Sequence, residues 1–313
     1  MELAFVFPGQ GAQMIGMGRE IASASPAAAA VFEEVDAALG EKLSDLIWSG
    51  DIADLTRTEN AQPALMATSI ATLRALQERL PGIGPDCVAG HSLGEYSALC
   101  AAGALSIGDT ARLLRLRGRA MQEAVPEGVG AMAALLGLDF ETARSVAEEA
   151  AGGAVCQAAN DNDPAQVVVS GHRAAVERAV EIARARGAKR AVMLPVSAPF
   201  HCALMQPAAD AMRAALAETT IRAPEVPVVA NVRAEAVSDP EMIRDLLVEQ
   251  VTSVVRWRES VGWMAAQGVR RAVEIGAGKA LSGMIRRIDR SIECHTTESL
   301  AALERTASAL GGA

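Results

Sequence analysis

One short stretch, Gly90–Tyr96, constrains the fold more than any other part of the chain. It reads Gly-His-Ser-Leu-Gly-Glu-Tyr and contains the pattern Gly-x-Ser-x-Gly. An apolar segment, Cys87–Ala89, enters it and predicts a buried strand, and a helical pattern over Glu95–Ala102 leaves it. A strand, a tight turn and a helix in this order place the serine at the tip of a sharp bend, as in a nucleophile elbow. The sequence therefore predicts an α/β fold with Ser92 at such a bend.

The simpler interpretation is an ordinary turn in which Ser92 only caps the following helix. The flanking glycines, Gly90 and Gly94, favour the elbow, because a turn this sharp leaves no room for side chains and Gly accepts positive φ. The free N–H groups at the start of a helix also stabilise developing negative charge. We therefore interpret Ser92 as a nucleophile.

Composition and charge narrow the classes of protein to which the chain can belong. Its 313 residues allow a large core and a second lobe. The net charge of −9 argues against a nucleic-acid partner. Five cysteines without a Cys-x-x-Cys pair suit a reducing compartment. We find neither a signal peptide at Met1–Leu3 nor an apolar run of roughly 18 residues that could span a membrane. We therefore expect a cytoplasmic protein that does not bind membranes.

The N-terminal segment predicts a central strand and a functional turn. Leu3–Phe7 is a continuous apolar run, which is typical of a strand buried on both faces. The turn Pro8–Gly11 that follows is not a dinucleotide fingerprint, because Met14 stands where the third glycine is needed. Two interpretations remain open for it: a plain tight turn, or a loop that presents backbone N–H groups to an oxyanion.

The remaining pattern alternates helices and strands, as in an open α/β sheet. A large lobe that resembles the α/β-hydrolases, with a parallel sheet, is therefore predicted for residues 1–125 and 197–313. Residues 126–196 show the order β-α-β-β-α-β and predict an inserted ferredoxin-like subdomain. Helices are predicted over Ala27–Trp48, after Asn60–Pro63, over Ser106–Ala124, Met242–Val248 and Trp257–Ala266. Further strands are predicted over Val226–Asn231 and Arg271–Ile275. Within the inserted lobe, Asn160–Pro164 is predicted to be a polar loop between two strands.

Two side chains outside the elbow are candidates for chemistry. Arg117 shares one helix face with Leu113 and Met121. It either borders the core and reaches solvent or lies buried and binds an anion, since a buried charge needs a partner. His201 follows the Pro-bracketed turn Pro195–Phe200, a fixed position that suits a general base. We favour His201 over the other histidines as the base.

No cofactor or metal is predicted. Gly276–Lys279 resembles a phosphate loop but lacks the required Gly at Val273 and the Ser or Thr at Ala280. A strand-to-helix turn is the better interpretation. His and Cys residues do not occur at metal-ligand spacing.

Taken together, these motifs resemble the malonyl-CoA:acyl-carrier-protein transacylases. The resemblance rests on Phe7–Gly11, Gly90–Tyr96, Arg117 within Arg115–Gly118, His201 and Gln250, and it runs nearly from end to end. Each motif is weak alone, but their order is highly specific.

The resemblance implies a role for each matching residue. Ser92 is then the acylated nucleophile and His201 its base. Arg117 binds the malonyl carboxylate. The backbone N–H groups of Gln10 and Leu93 form the oxyanion hole, and a carbonyl of Gln250 orients the histidine. Leu93 and Phe200 are similar to the residues of malonyl-selecting members. The implied partners are malonyl-CoA and acyl carrier protein.

Two other functions stay open at this point. A serine esterase or thioesterase shares the elbow but normally has an acid between Ser and His in chain order, where Asp161 and Asp163 stand. A non-catalytic carrier-binding module would not need the Ser92 and His201 pair. Transfer to a thiol separates the transferase from the first, and labelling of Ser92 separates it from the second.

Overall fold

The computed structural model describes residues 1–196 and 198–312, and within them the chain forms ten strands and fourteen α-helices. The strands are β1 (Leu3–Phe7), β2 (Cys87–Gly90), β3 (Gly130–Leu136), β4 (Cys156–Asp163), β5 (Gln166–His172), β6 (Arg190–Met193), β7 (Val228–Ala230), β8 (Glu235–Val237), β9 (Arg271–Glu274) and β10 (Glu293–Thr296). The helices are α1 (Arg19–Ala24), α2 (Pro26–Leu39), α3 (Leu43–Ser49), α4 (Ile52–Thr56), α5 (Thr58–Arg79), α6 (Leu93–Ala101), α7 (Ile107–Glu123), α8 (Phe140–Ala151), α9 (Arg173–Ala185), α10 (Gln206–Ala217), α11 (Pro240–Gln250), α12 (Trp257–Ala266), α13 (Ala280–Ile288) and α14 (Leu300–Gly311).

The larger sheet has the strand order β10-β9-β1-β2-β7-β8. Its first five strands are parallel, and β8 joins the edge antiparallel to β7. The predicted α/β class with a parallel sheet is thus confirmed, with one antiparallel edge strand added. The side chains of β1 alternate between two cores: Phe5 and Phe7 pack on one face, and Ala4 and Val6 pack on the other. Burial on both faces explains why β1 reads as a continuous apolar run.

The smaller sheet is antiparallel and has the order β4-β5-β3-β6. With α8 and α9 it gives the β-α-β-β-α-β succession that the sequence predicts. The side chains of strand β3 also alternate between two cores. Ala131, Ala133 and Leu135 pack under α8 and α9, whereas Met132 and Ala134 belong to the core of the larger sheet. This alternation holds the small sheet against the rest of the molecule and brings it to the edge of the site described below.

The predicted polar loop Asn160–Pro164 is wrong, because residues 160–163 continue strand β4. Three polar side chains of this buried strand find partners outside it. The carboxylates of Asp161 and Asp163 accept hydrogen bonds from the guanidinium groups of Arg258 and Arg287, and the Asn162 Oδ1 lies 2.8 Å from the His91 ring. Sequence periodicity cannot reveal such partners, since they lie 71 to 124 residues away.

Two further differences concern helices. The single helix predicted over Ala27–Trp48 is two helices, because Gly40 adopts φ 67° and ends α2. The C-terminal helix α14 and the strand β10 were not predicted. The turn at Gly276–Lys279 leads from β9 into α13, as expected.

The predicted subdomain boundary at 196/197 includes Ser197, which lies outside the described residues. Among the described residues, no helix combines the length and hydropathy that crossing a bilayer requires.

Candidate active site

The turn between β2 and α6 holds Ser92 in a strained conformation. Ser92 has φ 54° and ψ −112°, a combination that is unfavourable for any residue with a side chain. Its N–H donates to the Asn231 side-chain oxygen over 2.8 Å, and the N–H of His91 donates to the Phe7 carbonyl over 3.1 Å. These bonds fix the bend from both sides, so the strain is maintained by the surrounding structure.

The two glycines of the motif are required by close backbone approach. A Cβ on Gly90 would lie 1.9 Å from the carbonyl carbon and oxygen of Gly94. A Cβ on Gly94 would lie 2.2 Å from the Phe7 carbonyl oxygen. Neither contact is possible without moving the backbone, so any side chain at these positions disrupts the elbow.

The structure places His201 beside Ser92. The Nε2 atom of His201 lies 2.8 Å from the Ser92 Oγ, and its Nδ1 lies 2.8 Å from the Gln250 carbonyl oxygen. The carbonyl can only accept, so Nδ1 carries the proton and Nε2 presents its lone pair to the serine. Gln250 is the last residue of α11, where carbonyl groups have no intrahelical donor. The helix terminus thus supplies the acceptor that a carboxylate supplies in other serine enzymes.

A buried set of polar side chains supports this pair. The carboxylate of Glu95 accepts hydrogen bonds from the Gln250 side-chain amide over 2.7 Å and from the Asn231 N–H over 3.1 Å. The Asn231 amide donates in turn to the Gly90 carbonyl over 2.7 Å. Burial raises the pKa of Glu95 to about 7, against the opposing effect of the Gln250 and Asn231 hydrogen bonds. One carboxyl group therefore anchors both the elbow and the residue that orients the histidine.

Arg117 lies at the floor of the same site and is 1% exposed. Its guanidinium donates to the side-chain oxygens of Gln62 and Gln250 over 2.8 Å each and to the Ser92 Oγ over 3.1 Å. Burial lowers its pKa, which the nearby Tyr96 and Glu95 oppose. Among residues 1–196 and 198–312, no carboxylate forms a salt bridge with it. A buried guanidinium held by neutral groups is prepared to bind an anion.

These residues surround one cavity of about 410 Å³, lined in part by Gln10, Ser92, Leu93, Arg117, Phe200 and His201. Phe200 is 9% exposed and contributes an apolar wall. Leu93 is the first residue of α6, so its N–H has no intrahelical acceptor. Met132, Asn160 and Leu194 complete the wall from the side of the small sheet.

The electrostatics of the site keep the histidine neutral. Burial and, after it, the positive charge of Arg117 lower the pKa of His201 to about 3. The hydrogen bond to the Gln250 carbonyl opposes this shift but does not cancel it. A neutral imidazole at physiological pH is the form that can accept a proton from Ser92.

The structure separates Asp161 and Asp163 from the histidine. The Arg258 guanidinium donates to both carboxylate oxygens of Asp161 over 3.0 Å, and the Arg287 guanidinium donates to Asp163 over 2.7 Å. The Nδ1 of His201 faces the Gln250 carbonyl instead. The Ser, His and acid arrangement of the hydrolase alternative is therefore not formed by either aspartate.

Sequence reasoning missed several residues that position the site. They are Gln62, Glu95, Asn162 and Asn231, of which Asn162 accepts a hydrogen bond at its Oδ1 from the His91 Nε2 over 2.8 Å. A signal existed for Asn231, because it ends a predicted strand at the same edge as the elbow, where polar residues tend to be functional. Gln62 and Asn162 carried no such signal.

Comparison with known proteins agrees with this geometry. Residues 4–308 match the acyl transferase domain family. The malonyl CoA-acyl carrier protein transacylase of Bacillus subtilis is 49% identical over 293 residues, which cover 93% of this chain and 92% of that protein. The enzyme of the same name from Escherichia coli K12 is 50% identical over 287 residues, which cover 92% of this chain and 93% of that protein.

Solved structures agree as closely. The acyl-carrier-protein S-malonyltransferase of Bartonella henselae superimposes with a TM-score of 0.96 at 54% identity, covering 99% of this chain and 100% of that one. A malonyl-transacylase solved in complex with its type II PKS acyl-carrier protein has a TM-score of 0.96 at 43% identity, with 99% and 100% covered. Fold, site and sequence agree over nearly the whole chain. The chain therefore belongs to the family of malonyl-CoA:acyl-carrier-protein transacylases.

Proposed function

We propose that this protein transfers the malonyl group of malonyl-CoA to the phosphopantetheine thiol of acyl carrier protein through a malonyl-serine on Ser92. The observation that carries the proposal is a serine and a neutral histidine 2.8 Å apart, with a buried arginine 3.1 Å from the serine Oγ that has no acidic partner among the described residues. The relatives reported above carry the same activity in their names. The reaction supplies the extender unit for fatty-acid or polyketide synthesis.

In the first half-reaction Ser92 attacks the thioester carbonyl. The Nε2 of His201 accepts the Oγ proton as the Oγ–C bond forms. The tetrahedral intermediate then collapses, the C–S bond breaks, and the imidazolium returns the proton to the departing CoA sulfur. The carbonyl at the end of α11 keeps the Nδ1 proton in place and, as the negative end of a helix, stabilises the transient imidazolium.

The oxyanion of this intermediate needs fixed donors. We assign that role to the backbone N–H groups of Gln10, in the turn after β1, and of Leu93, at the start of α6. Both residues line the cavity with Ser92, and the Leu93 N–H has no intrahelical acceptor. Preorganised donors of this kind are often the largest single contribution to acyl-transfer rates.

Arg117 is the residue that we assign to the free carboxylate of the malonyl group. A guanidinium can form two parallel hydrogen bonds with a carboxylate. The Ser92 Oγ, 3.1 Å from the guanidinium, lies within reach of an acyl carbon whose carboxylate is bound there. Phe200 bounds the space around the acyl chain and disfavours a branched group.

In the second half-reaction a carrier-protein thiol attacks the malonyl-serine by the same steps in reverse, which gives ping-pong kinetics. His201 has a neutral carbonyl rather than a carboxylate behind it, so it is a mild base. A mild base suffices, because thiols ionise readily and a thioester is a good acyl donor.

The test is the mass of the intact protein after incubation with malonyl-CoA. We expect a malonyl adduct that disappears when holo acyl carrier protein is added, with the malonyl group recovered on the carrier. Ser92→Ala should form no adduct. Ser97→Ala is the matched control, since Ser97 is buried on α6, the helix that follows Ser92, but does not line the cavity. Release of free malonate instead of transfer would support the hydrolase, and an adduct on Ser92→Ala would overturn the assignment.

Two coarser assignments accompany this function. We propose that residues 126–196 act as an inserted subdomain and that residues 1–125 and 197–313 form the catalytic lobe; the separate sheet of β3 to β6 supports this division.

We also propose that the protein acts in the cytoplasm. All five cysteines are free thiols, four of them buried, which suits a reducing compartment. Fractionation of cells that produce the protein would test the location.

A further inference from the structure

A buried chain of hydrogen bonds runs from Arg117 to the turn after β1. The Arg117 Nη1 donates to the Gln62 Oε1 over 2.8 Å. The Gln62 Nε2 donates to the Thr58 Oγ1 over 2.9 Å, and the Thr58 hydroxyl donates to the Gln10 Oε1 over 2.9 Å. Arg117, Gln62 and Thr58 are each no more than 1% exposed. We call this chain the relay.

The direction of every bond in the relay is fixed by chemistry. A guanidinium has donors only, so it must face the oxygen of the Gln62 amide. The amide NH₂ therefore faces Thr58, whose oxygen accepts. The only hydrogen that remains on the Thr58 hydroxyl must then point to Gln10. The relay consequently begins at a positive charge and polarises each following bond in the same sense.

The relay connects the two groups that, in the proposed reaction, bind the two ends of the malonyl group. Arg117 faces the malonyl carboxylate, and Gln10 carries an N–H of the oxyanion hole in a turn without regular secondary structure. In the turn itself, the Gly11 N–H donates to the Gln13 side chain over 2.7 Å, a bond within the same loop. The contact with Thr58 ties the Gln10 side chain to α5, the helix that also carries Gln62.

We propose that Thr58 and Gln62 are specificity-determining positioning residues that couple carboxylate binding at Arg117 to the placement of the Gln10 N–H; this inference rests on the proposed malonyl transfer. When a carboxylate docks on Arg117, the guanidinium takes its optimal place, and the relay holds the Gln10 turn in the geometry that receives the oxyanion. An acyl group without a carboxylate leaves the guanidinium as it is in this structure, with Nη2 shared between Ser92 and Gln250 and no docked anion to hold the Nη1 bond to Gln62 in place. Part of the preference for malonyl-CoA is then a preference in rate and not only in binding.

A role that is merely structural makes a different prediction. Buried polar groups in any protein are paired, and unpairing one lowers stability whatever the substrate. A relay that couples two subsites instead changes the ratio between a substrate with a carboxylate and one without. Helix α5 offers a matched control residue for this distinction. Thr72 is buried on the same helix, and its hydroxyl donates to the Thr68 carbonyl, away from the site.

The experiment is single-turnover acylation of Ser92 by malonyl-CoA and by acetyl-CoA, followed by intact mass. It is run on the full-length wild type, Thr58→Val, Thr58→Ser and Thr72→Val, each with its thermal midpoint measured. Thr58→Val keeps the shape of the side chain and removes the hydroxyl in the middle of the relay. We expect its malonyl-to-acetyl ratio of maximal acylation rates to fall about five- to tenfold, the equivalent of one buried hydrogen bond. Thr58→Ser should restore the ratio, and Thr72→Val should leave it unchanged.

A double-mutant cycle gives the second readout. In an Arg117→Ala background the relay has lost its first donor, so Thr58→Val should change the acylation rates no further. The proposal is overturned if Thr58→Val slows both substrates equally, if Thr58→Ser fails to restore the ratio although it is folded, or if the two changes multiply in the cycle. Failure of the proposed function is a separate result, because the wild type would then form no malonyl adduct at all.

Discussion

Replacing Arg117 with alanine tests whether the site reads a carboxylate. The guanidinium is buried, has no carboxylate partner among the described residues, and is held by amide and hydroxyl groups and by the ring of Tyr96, whose centroid lies 5.6 Å from its central carbon. Each hydrogen bond from it to a bound carboxylate is worth about 1.5–3 kcal/mol net. The variant also leaves the malonyl anion buried without a partner, a loss of about 3–5 kcal/mol. Malonyl transfer should therefore fall on the order of 10²–10³-fold in kcat/KM.

Part of the loss in kcat/KM caused by Arg117→Ala should be common to both substrates. Arg117→Ala also removes the donor to Gln250, whose backbone carbonyl orients His201. Acetyl-CoA has no carboxylate, so its kcat/KM reports this shared loss, which we expect to be small or even offset by relief of the unpaired cation. The difference between the two substrates is then the part that belongs to the carboxylate. Arg117→Lys should recover only a fraction of it, because an ammonium cannot form two parallel bonds.

The assay is kcat/KM for malonyl- and acetyl-CoA with a saturating carrier protein, on the wild type and both variants. Arg115→Ala is the matched control, since Arg115 is a buried arginine on the same helix whose guanidinium pairs with Glu41 and the Glu59 carbonyl instead. Arg115→Ala should lower the free energy of unfolding but leave the malonyl-to-acetyl ratio of kcat/KM values nearly unchanged. Equal losses for the two acyl groups in Arg117→Ala would refute the reasoning, because Arg117 would then support the fold and not the choice of substrate.

The same geometry gives four further predictions. Because burial and Arg117 lower the pKa of His201 to about 3, the acylation rate should stay level from pH 8 down to about pH 4; an inflection near pH 6.5 in stopped-flow data would contradict it. In the unfolded chain the pKa of His201 is near its ordinary value of 6.5. His201 should therefore lower the free energy of unfolding as the pH falls from 6.5 towards 3. Because the charge of Arg117 contributes to the low pKa, Arg117→Ala should move the acid limb of the acylation rate to higher pH. Phe200→Ser should relax selection against methylmalonyl-CoA by up to the 10–200-fold that one methyl group is worth in a pocket; an unmoved ratio of kcat/KM values would place the selection elsewhere. Ser92→Gly should be more stable than Ser92→Ala by about 1–2 kcal/mol in urea unfolding, because glycine accepts the conformation at φ 54° that alanine does not; equal midpoints would show that the elbow is unstrained.

Much of the site could be predicted because its residues carry local signals. The elbow needs Gly90 for a steric reason that acts within five residues of chain, because a side chain there would meet the backbone of Gly94, so this part of the motif is visible in sequence. His201 stood out because the chain has only four histidines and this one follows a rigid turn. The resemblance to a family then connected positions that lie far apart, such as Gln250, for which local pattern gives no reason.

The sequence by itself determined the α/β class, the elbow at Ser92 and the order of elements in the small sheet, because hydrophobic period and turn chemistry are local properties. Only the tertiary structure decided where the polar groups belong. Asn160–Asp163 form a strand rather than a loop because their backbone pairs with β5 and their side chains find partners in distant elements. Gln62, Glu95 and Asn231 became parts of the site for the same reason. Hydrogen bonds between residues far apart in the chain leave no period in the sequence, and they are what sets the geometry of this site.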